Sequence, residues 1–459
     1  MAISKASPGF TSVIIVGAGP SGLLLALLLA GLDPRPDITI LDAAATLDTS
    51  PRATHYGPPA IQLFRKAGIL PEIRRDGYMP DTICWRKLDG TRIAGFDRTQ
   101  LHDGGLDGDG LTVYPVGQMC ELLEREIKSR ADIKIDWGSR VVALKEGLDS
   151  NDSKAAVEVE SNGETKTYIA DYVIGTDGGN STVRCLMFGK RNFPGFSWGE
   201  QVVATNTEID LDRFGFEDSN FIIHPVHWYM AARIGPHKDP KKNIWRISYG
   251  ELPGLTNEEL MERQPMKFEQ MLLGNPKPDE YRILNKSPYR VHQRCCESMR
   301  INRVMLAADA AHLCNPFGGM GLTGGIADVA GLFQCMEGLH KGIADESILS
   351  TWSDVQREKW HTIINPVSSG NIRRLFQQDP DTALEDDQFL QAVKRGETDI
   401  EFSRSMQSST NKLNHDYTQY YHTTNGAHSN GVASNGDEMN GAKVNGEVTN
   451  GIIGTGMET

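Results

Sequence analysis

The sequence predicts an α/β fold: a parallel sheet with helices, a strand-rich second domain, further C-terminal helices and a low-complexity tail. Three observations carry that expectation. A short apolar run, Val13-Ile14-Ile15-Val16, leads at once into Gly17-Ala18-Gly19-Pro20-Ser21-Gly22 and then a Leu-rich stretch. The segment 190–300 holds several β-rich runs. From Asn425 to Asn450 the dipeptide Asn-Gly recurs every five residues.

In chain order, the run 13–16 has the pattern of a buried parallel strand. Gly17 permits the tight turn, Gly19 lets the backbone approach a pyrophosphate, and Gly22 lets helix and strand pack closely. Residues 22–32 are apolar and rich in Leu, a good helix former, so the helix N-terminus faces the negative charge. Ile38-Thr39-Ile40-Leu41 reads as a second strand. Asp42 follows it, 25 residues after Gly17, where a carboxylate accepts from ribose hydroxyls. Pro51-Arg52-Ala53 precedes a helix expected over 60–67, and Gln118 opens another. Tyr172-Val173-Ile174-Gly175 reads as a strand running into Asp177-Gly178. Residues 303–309 read as a buried strand ending in a carboxylate, and Ile326, Val329, Ala330, Phe333 and Met336 have helical spacing. Between these, 201–209, 221–234, 243–249 and 281–290 look like strands. His224, His227, Trp228, Tyr229, Tyr249, Tyr289 and His292 on or beside them are candidates to line a pocket.

A net charge of −13 argues against nucleic acid or an anionic membrane as partner. The seven cysteines are scattered, with no Cys-x-x-Cys pair and no zinc spacing, so free thiols and no metal are expected. The apolar stretch 23–29 is too short to span a bilayer and lacks the flanks of a signal peptide; a cytoplasmic monomer or homodimer is expected. The tail's small and polar repeats bury too little surface to offset ordering entropy, so residues 410–459 are expected to be disordered. Gly319-Met320-Gly321-Leu322-Thr323-Gly324 also spells a nucleotide-binding turn. The preceding strand ends about ten residues too early for that reading, and no strand plus acid follows in register.

Three segments, in this order and at these separations, carry a family resemblance. They are the first glycine turn, Gly175-Thr176-Asp177-Gly178-Gly179-Asn180-Ser181-Thr182-Val183-Arg184, and Ala308-Asp309-Ala310-Ala311-His312 running into Pro316-Phe317-Gly318-Gly319-Met320-Gly321. Over about residues 10–370 the chain resembles the single-component flavoprotein monooxygenases related to para-hydroxybenzoate hydroxylase. The family's Asp-Gly-x-x-Ser-x-Val-Arg pattern is complete. Ala308 replaces the Gly of Gly-Asp-Ala-Ala-His, Asp42 stands where Glu is usual, and Met320 and Thr323 stand where Gln and Asn are frequent.

The resemblance implies a Rossmann-type FAD-binding domain from 10–190 and 301–375. It is interleaved with a mixed-sheet substrate domain from 191–300, with strands inserted near 75–115 and a C-terminal extension over 376–409. It implies FAD contacts from Gly17, Gly19, Gly22, Asp42, Arg52, Gln118, Asp177, Gly178, Arg184, Asp309, Pro316, Gly319, Gly321 and Leu322. The segment 177–184 would also help dock the nicotinamide. Arg52 would reach the flavin and nicotinamide region, and His292 is the second catalytic candidate. The helix after Gly321 would point its N-terminus at the flavin N1–C2=O edge, where its dipole stabilises the reduced flavin's negative charge.

The implied chemistry is reduction of FAD by NADPH or NADH, then addition of O2 at flavin C4a. The hydroperoxide's terminal oxygen would pass to an electron-rich carbon of a small aromatic or alkene substrate, phenolic, polyketide-like or polyene, in secondary metabolism. An FAD reductase or dehydrogenase on the same fold is the alternative. A halogenase would need Trp-x-Trp-x-Ile-Pro, and the nearest stretch is His227-Trp228-Tyr229-Met230. A binding or escort protein on this fold would have no need of the complete second and third segments.

Overall fold

The computed structural model describes residues 9–48, 53–99, 109–131, 133–235, 237 and 239–422. The apolar run forms the strand Ser12–Val16, inside a six-stranded sheet. Asp37–Leu41 lies parallel on one side and Tyr172–Gly175 on the other, and Val304–Leu306 runs parallel beyond Tyr172–Gly175. The register decides the site. Val16 pairs with Leu41 and with Gly175, and Gly175 pairs with Leu306. The glycine turn, Asp42, Asp177 and Ala308 therefore all leave the sheet at one carboxyl edge, where open α/β sheets bind ligands. The helix Pro20–Leu29 is buried on nearly every side. Its all-round apolar sequence matches that environment. One neighbour is the long helix Met320–His340.

The second sheet has eight strands, in the order His312–Leu313, Arg282–Cys295, Gly195–Glu208, Ile244–Glu251, Tyr229–Gly235, Ser219–Ile223, Thr82–Lys87 and Arg92–Asp97. It is mixed, because Ser219–Ile223 runs parallel to Thr82–Lys87 while the other neighbours are antiparallel. Alternation splits its side chains between two cores. Val203, Tyr229, Trp245, Ile247 and Tyr249 pack under the helix Asn257–Met271. Val202, Trp85, Trp228 and Val291 pack the other way, with Phe317, Ile372 and Leu375. A separate three-stranded sheet, Arg140–Glu146, Ala155–Ser161 and Glu164–Ala170, is an addition the sequence did not announce.

The tail begins later than expected. Residues 410–422 are ordered in short 3-10 turns that dock on the protein, with Leu413 and Tyr417 fully buried. The Tyr417 amide donates to Gln334 Oε1 at 2.9 Å, and the His422 amide to the Ile343 carbonyl at 2.7 Å. Leu413, Tyr417 and Tyr421 supply the large apolar groups that the Asn-Gly repeats lack. The repeats, from Asn425, lie outside the described residues. Among the described residues, no helix is long and apolar enough to cross a membrane, and no cluster of three metal-ligating side chains occurs.

Removing residues 425–459 should leave the melting temperature unchanged. Tyr417→Ala should cost about 3 kcal/mol, since it empties a buried aromatic site. Thermal unfolding of the two variants beside the full chain checks both.

Candidate active site

The first glycine turn has two structural glycines and one that is open. Gly17 sits at φ +108, and a Cβ there would lie 2.5 Å from the Thr176 carbonyl oxygen. A Cβ on Gly22 would lie 2.1 Å from the Gly17 carbonyl oxygen. Both positions are fixed by packing of the turn against the second segment. Beside Gly19, by contrast, there is nothing within 4 Å of a Cβ position. The helix that starts there has no side-chain cap and no acidic residue in its first turn. Uncapped first-turn amides over an open backbone make an anion site. Asp42 accepts from the Ala18 amide and from the Ala44 amide, each at 2.7 Å. It pins the turn, and a carboxylate's remaining lone pairs can still meet ribose hydroxyls.

In the second segment Asp177 caps the helix Thr182–Phe188, accepting from the Thr182 and Val183 amides at 2.7 and 3.1 Å. Burial pushes its pKa up against those hydrogen bonds. Gly178 takes φ +78. Arg184 is only 5% exposed. It donates to the Ala310 carbonyl at 2.8 Å and the Gly179 carbonyl at 2.7 Å, and lies 3.7 Å over the Phe193 ring. Its side chain was expected to help dock a nicotinamide. Those bonds clasp the second segment to the third.

In the third segment Ala308 sits at φ +58. That left-handed backbone explains why relatives place Gly there. The Ala308 amide donates to Asp328 Oδ2 at 2.9 Å, and His312 Nε2 meets the same oxygen at 2.8 Å. Burial alone would lower the His312 pKa, but Asp328 outweighs it and holds the imidazole at about 9. Asp309 is exposed between buried Ala308 and Ala310. Beyond partly buried Pro316, the backbone turns through Gly318 at φ +143 and Gly319 at φ +64 into Met320–His340. The space beside Gly319 is open, and this helix start also lacks a side-chain cap and acidic residues. Gly321 lies against Cys314, and Leu322 packs at the margin of the first core. A Cβ on Gly325 would fall 2.6 Å from Ala308 Cβ and 3.7 Å from Ser21 Oγ, so the start of Pro20–Leu29 lies against the second turn of Met320–His340.

Gln293 escaped notice in the sequence. Its amide oxygen accepts from the Asn315 backbone at 2.6 Å, and its nitrogen donates to Asn365 and Ser368 at 2.8 and 3.1 Å. It ties the third segment to the second sheet and to the C-terminal helices. A lone Gln within a strand carries no signal of that role.

A cavity of about 210 Å³ lies between the second sheet and the start of the helix Val116–Ala131, lined by Thr54, Gln118, Glu121, Asn206, Arg246 and Asn285. Register puts Arg246 opposite Asn206 and Asn206 opposite Asn285, so the three share one face of the second sheet. Arg246 is buried and donates from Nε to Asn206 Oδ1 at 2.6 Å. Burial lowers its pKa. Tyr289 is on the same face, and burial pushes its phenol up to about 12. Gln118, exposed at the third position of the helix Val116–Ala131, joins this cavity.

The other expected pocket residues scatter. His292 falls between Val291 and Gln293, so alternation turns it to the opposite face, where Nδ1 meets Ser197 Oγ at 2.8 Å. It is not among the residues that line this cavity. Tyr229 and Tyr249 are buried under the helix Asn257–Met271. His224 accepts from the Val226 and His227 amides in its own turn. Trp228 packs on Phe317. Arg52 lies outside the described residues.

A family model described as "FAD binding domain" matches residues 10–364. The chain belongs to this FAD-binding family of flavoprotein monooxygenases. It is 33% identical to para-nitrophenol 4-monooxygenase of Pseudomonas sp. (strain WBC-3), over 88% of this chain and 96% of that protein. It is also 33% identical to 6-hydroxy-3-succinoylpyridine 3-monooxygenase HspB of Pseudomonas putida (strain DSM 28022 / S16), over 80% of this chain and 90% of that one. The crystal structure of p-nitrophenol 4-monooxygenase PnpA from Pseudomonas putida DLL-E4 superposes with a TM-score of 0.78 at 29% identity, covering 88% of this chain and 99% of that one. The protein is thus an FAD-dependent monooxygenase. Its residues fit the cofactor: the open backbone at Gly19 and Gly319 leaves two uncapped helix starts, one for a pyrophosphate and one for an electron-rich ring edge.

Two expectations follow from the third segment. Ala308→Gly should stabilise the fold by about 1 kcal/mol by relieving the left-handed backbone, read as a raised melting temperature. His312 binds its proton more tightly folded than unfolded. Its contribution to stability is complete below pH 6.5 and is lost as pH rises through about 9. His312→Gln should remove that part of the pH dependence in denaturant titrations.

Proposed function

We propose that this flavoprotein hydroxylates a small phenol, with NADPH or NADH as reductant and O2 as the oxygen source. The observation that carries this is the cavity: one buried guanidinium, three carboxamides, a hydroxyl and, on the helix side, the Glu121 carboxylate around a space of about 210 Å³. A cavity of about 150 Å³ is enough for benzene, so one substituted ring fits. The polar lining suits a ring bearing an oxyanion. A polyene would bury Arg246, Asn206 and Asn285 against hydrocarbon, which is costly. The aromatic branch of the expected chemistry is therefore favoured over the alkene one. The relatives' printed substrates, a nitrophenol and a hydroxypyridine, are of the same kind.

The flavin, when bound, takes electrons from the nicotinamide and activates O2 for transfer of one oxygen atom. The chain's own residues bind and orient. Arg246 attracts the substrate oxyanion, Asn206 fixes the guanidinium, and Asn285 adds a polar group on the same face. The second sheet forms one wall of the cavity through Asn206, Arg246 and Asn285. The Met320–His340 helix start is aimed, by its lack of cap or acid, at developing negative charge.

The test is O2 and NADPH consumption with a panel of single-ring phenols, with product mass read for one added oxygen. A turned-over phenol, with Arg246→Gln raising its KM by roughly 10- to 100-fold at unchanged flavin content, is expected. Uncoupled oxidation of NADPH with every phenol would contradict the proposal.

A further inference from the structure

We propose that Asp328 and His312 are a positioning pair for the cofactor: they hold the Ala308–Asp309 turn in the backbone shape that takes up FAD. The proposal rests on FAD binding and is independent of the substrate. Asp328 lies two turns into the helix Met320–His340 and is buried. Its Oδ2 accepts from the Ala308 amide at 2.9 Å and from His312 Nε2 at 2.8 Å. Its backbone carbonyl accepts from Trp352 Nε1 at 3.0 Å, which ties it to the helix Ser347–Lys359 as well.

A buried carboxylate is costly, and an ion pair in a core is often no more stable than an apolar pair of similar volume. What this pair adds is a fixed conformation. Ala308 is buried at φ +58, a left-handed backbone that costs Ala the equivalent of roughly 5- to 30-fold in an equilibrium. Its amide needs an acceptor there, and Asp328 supplies one. The ends of the turn are held by other groups. The Ala307 amide donates to the Gly175 carbonyl at 2.9 Å, Arg184 to the Ala310 carbonyl at 2.8 Å, and the Cys296 amide to the Ala311 carbonyl at 2.8 Å. With both ends tied, the backbone at Ala308 decides where exposed Asp309 is presented.

The turn stands where the cofactor is expected. The strand Val304–Leu306 delivers it at the carboxyl edge of the first sheet. Gly325 lets it pack on the helix Met320–His340, beside Ser21 at the start of Pro20–Leu29. Weakening the Asp328 bond frees Ala308 to relax towards its ordinary right-handed backbone. FAD then binds only the fraction of molecules that keep the left-handed turn, and the apparent Kd rises by the inverse of that fraction. His312 acts through Asp328: its imidazolium balances the buried charge and shares the oxygen that holds Ala308.

The experiment titrates FAD onto the full-length apoprotein, read by flavin fluorescence, with melting temperatures alongside. The proteins are wild type, Asp328→Asn, His312→Gln, Ala308→Gly and Ala308→Gly combined with each of the other two. Asp328→Asn keeps the volume and an acceptor but loses the charge that strengthens both bonds. It should weaken FAD binding roughly tenfold, and His312→Gln should do the same by less. Glycine takes the left-handed backbone without steric cost. In the Ala308→Gly background the loss caused by Asp328→Asn should therefore shrink to about threefold or less. A role in stability alone would lower melting temperatures and leave the FAD Kd of the folded variants unchanged, which would overturn the proposal. Equal losses of affinity in both backgrounds would overturn it too. If Asp328→Asn does not fold, His312→Gln with and without Ala308→Gly reads the same coupling.

Discussion

The structure depends on one arrangement of charge: two packed helices, Pro20–Leu29 and Met320–His340, neither capped at its N-terminus by its own side chains. Helices normally satisfy their first amides with Ser, Thr, Asp or Asn. Here both starts follow a glycine with open space beside it, and neither has an acid in its first turn. The unsatisfied amides of an uncapped helix end need a partner. An anionic cofactor resolves that need, and the surrounding packing can be read as what keeps the two ends in place.

Much of that packing is done by residues that look like ligands. Asp42 accepts from the turn's own amides, Asp177 caps a helix, and Arg184 clasps two loops. Asp328 receives both the Ala308 amide and His312, and Gln293 fixes Asn315. Arg184, Asp328 and Gln293 are buried and Asp42 and Asp177 half-buried, and the bonds each makes inside the protein rigidify a loop. The site is precise because its polar residues hold backbone, and the backbone faces the cofactor.

The first sheet was legible because each motif follows a short apolar run, and parallel register then forces the motifs to one edge. Ala308 was legible as a departure from pattern, and its φ of +58 gives that departure a physical meaning. The second sheet was legible as strands but not as faces. His292 and Tyr289 look alike as candidates in a sequence, and only the register shows that one turns away and the other inward. Arg246 and Asn206 were missed because their meaning comes from being opposite each other on strands some forty positions apart. The tail boundary was missed because low complexity was extended back over Leu413 and Tyr417, which carry enough apolar surface to dock.

The central claim, that the open helix start at Gly19 holds the cofactor's negative charge, separates cleanly from folding at that residue. Gly19 has φ −77 and empty space where a Cβ would go, so Gly19→Ala should fold as wild type does. An FAD titration of apoprotein by flavin fluorescence, with melting temperatures measured alongside, is the direct measurement. The account expects unchanged apoprotein stability and FAD binding weakened by tenfold or more, because the new methyl group occupies the approach to the pyrophosphate. Wild-type affinity in that variant would contradict it.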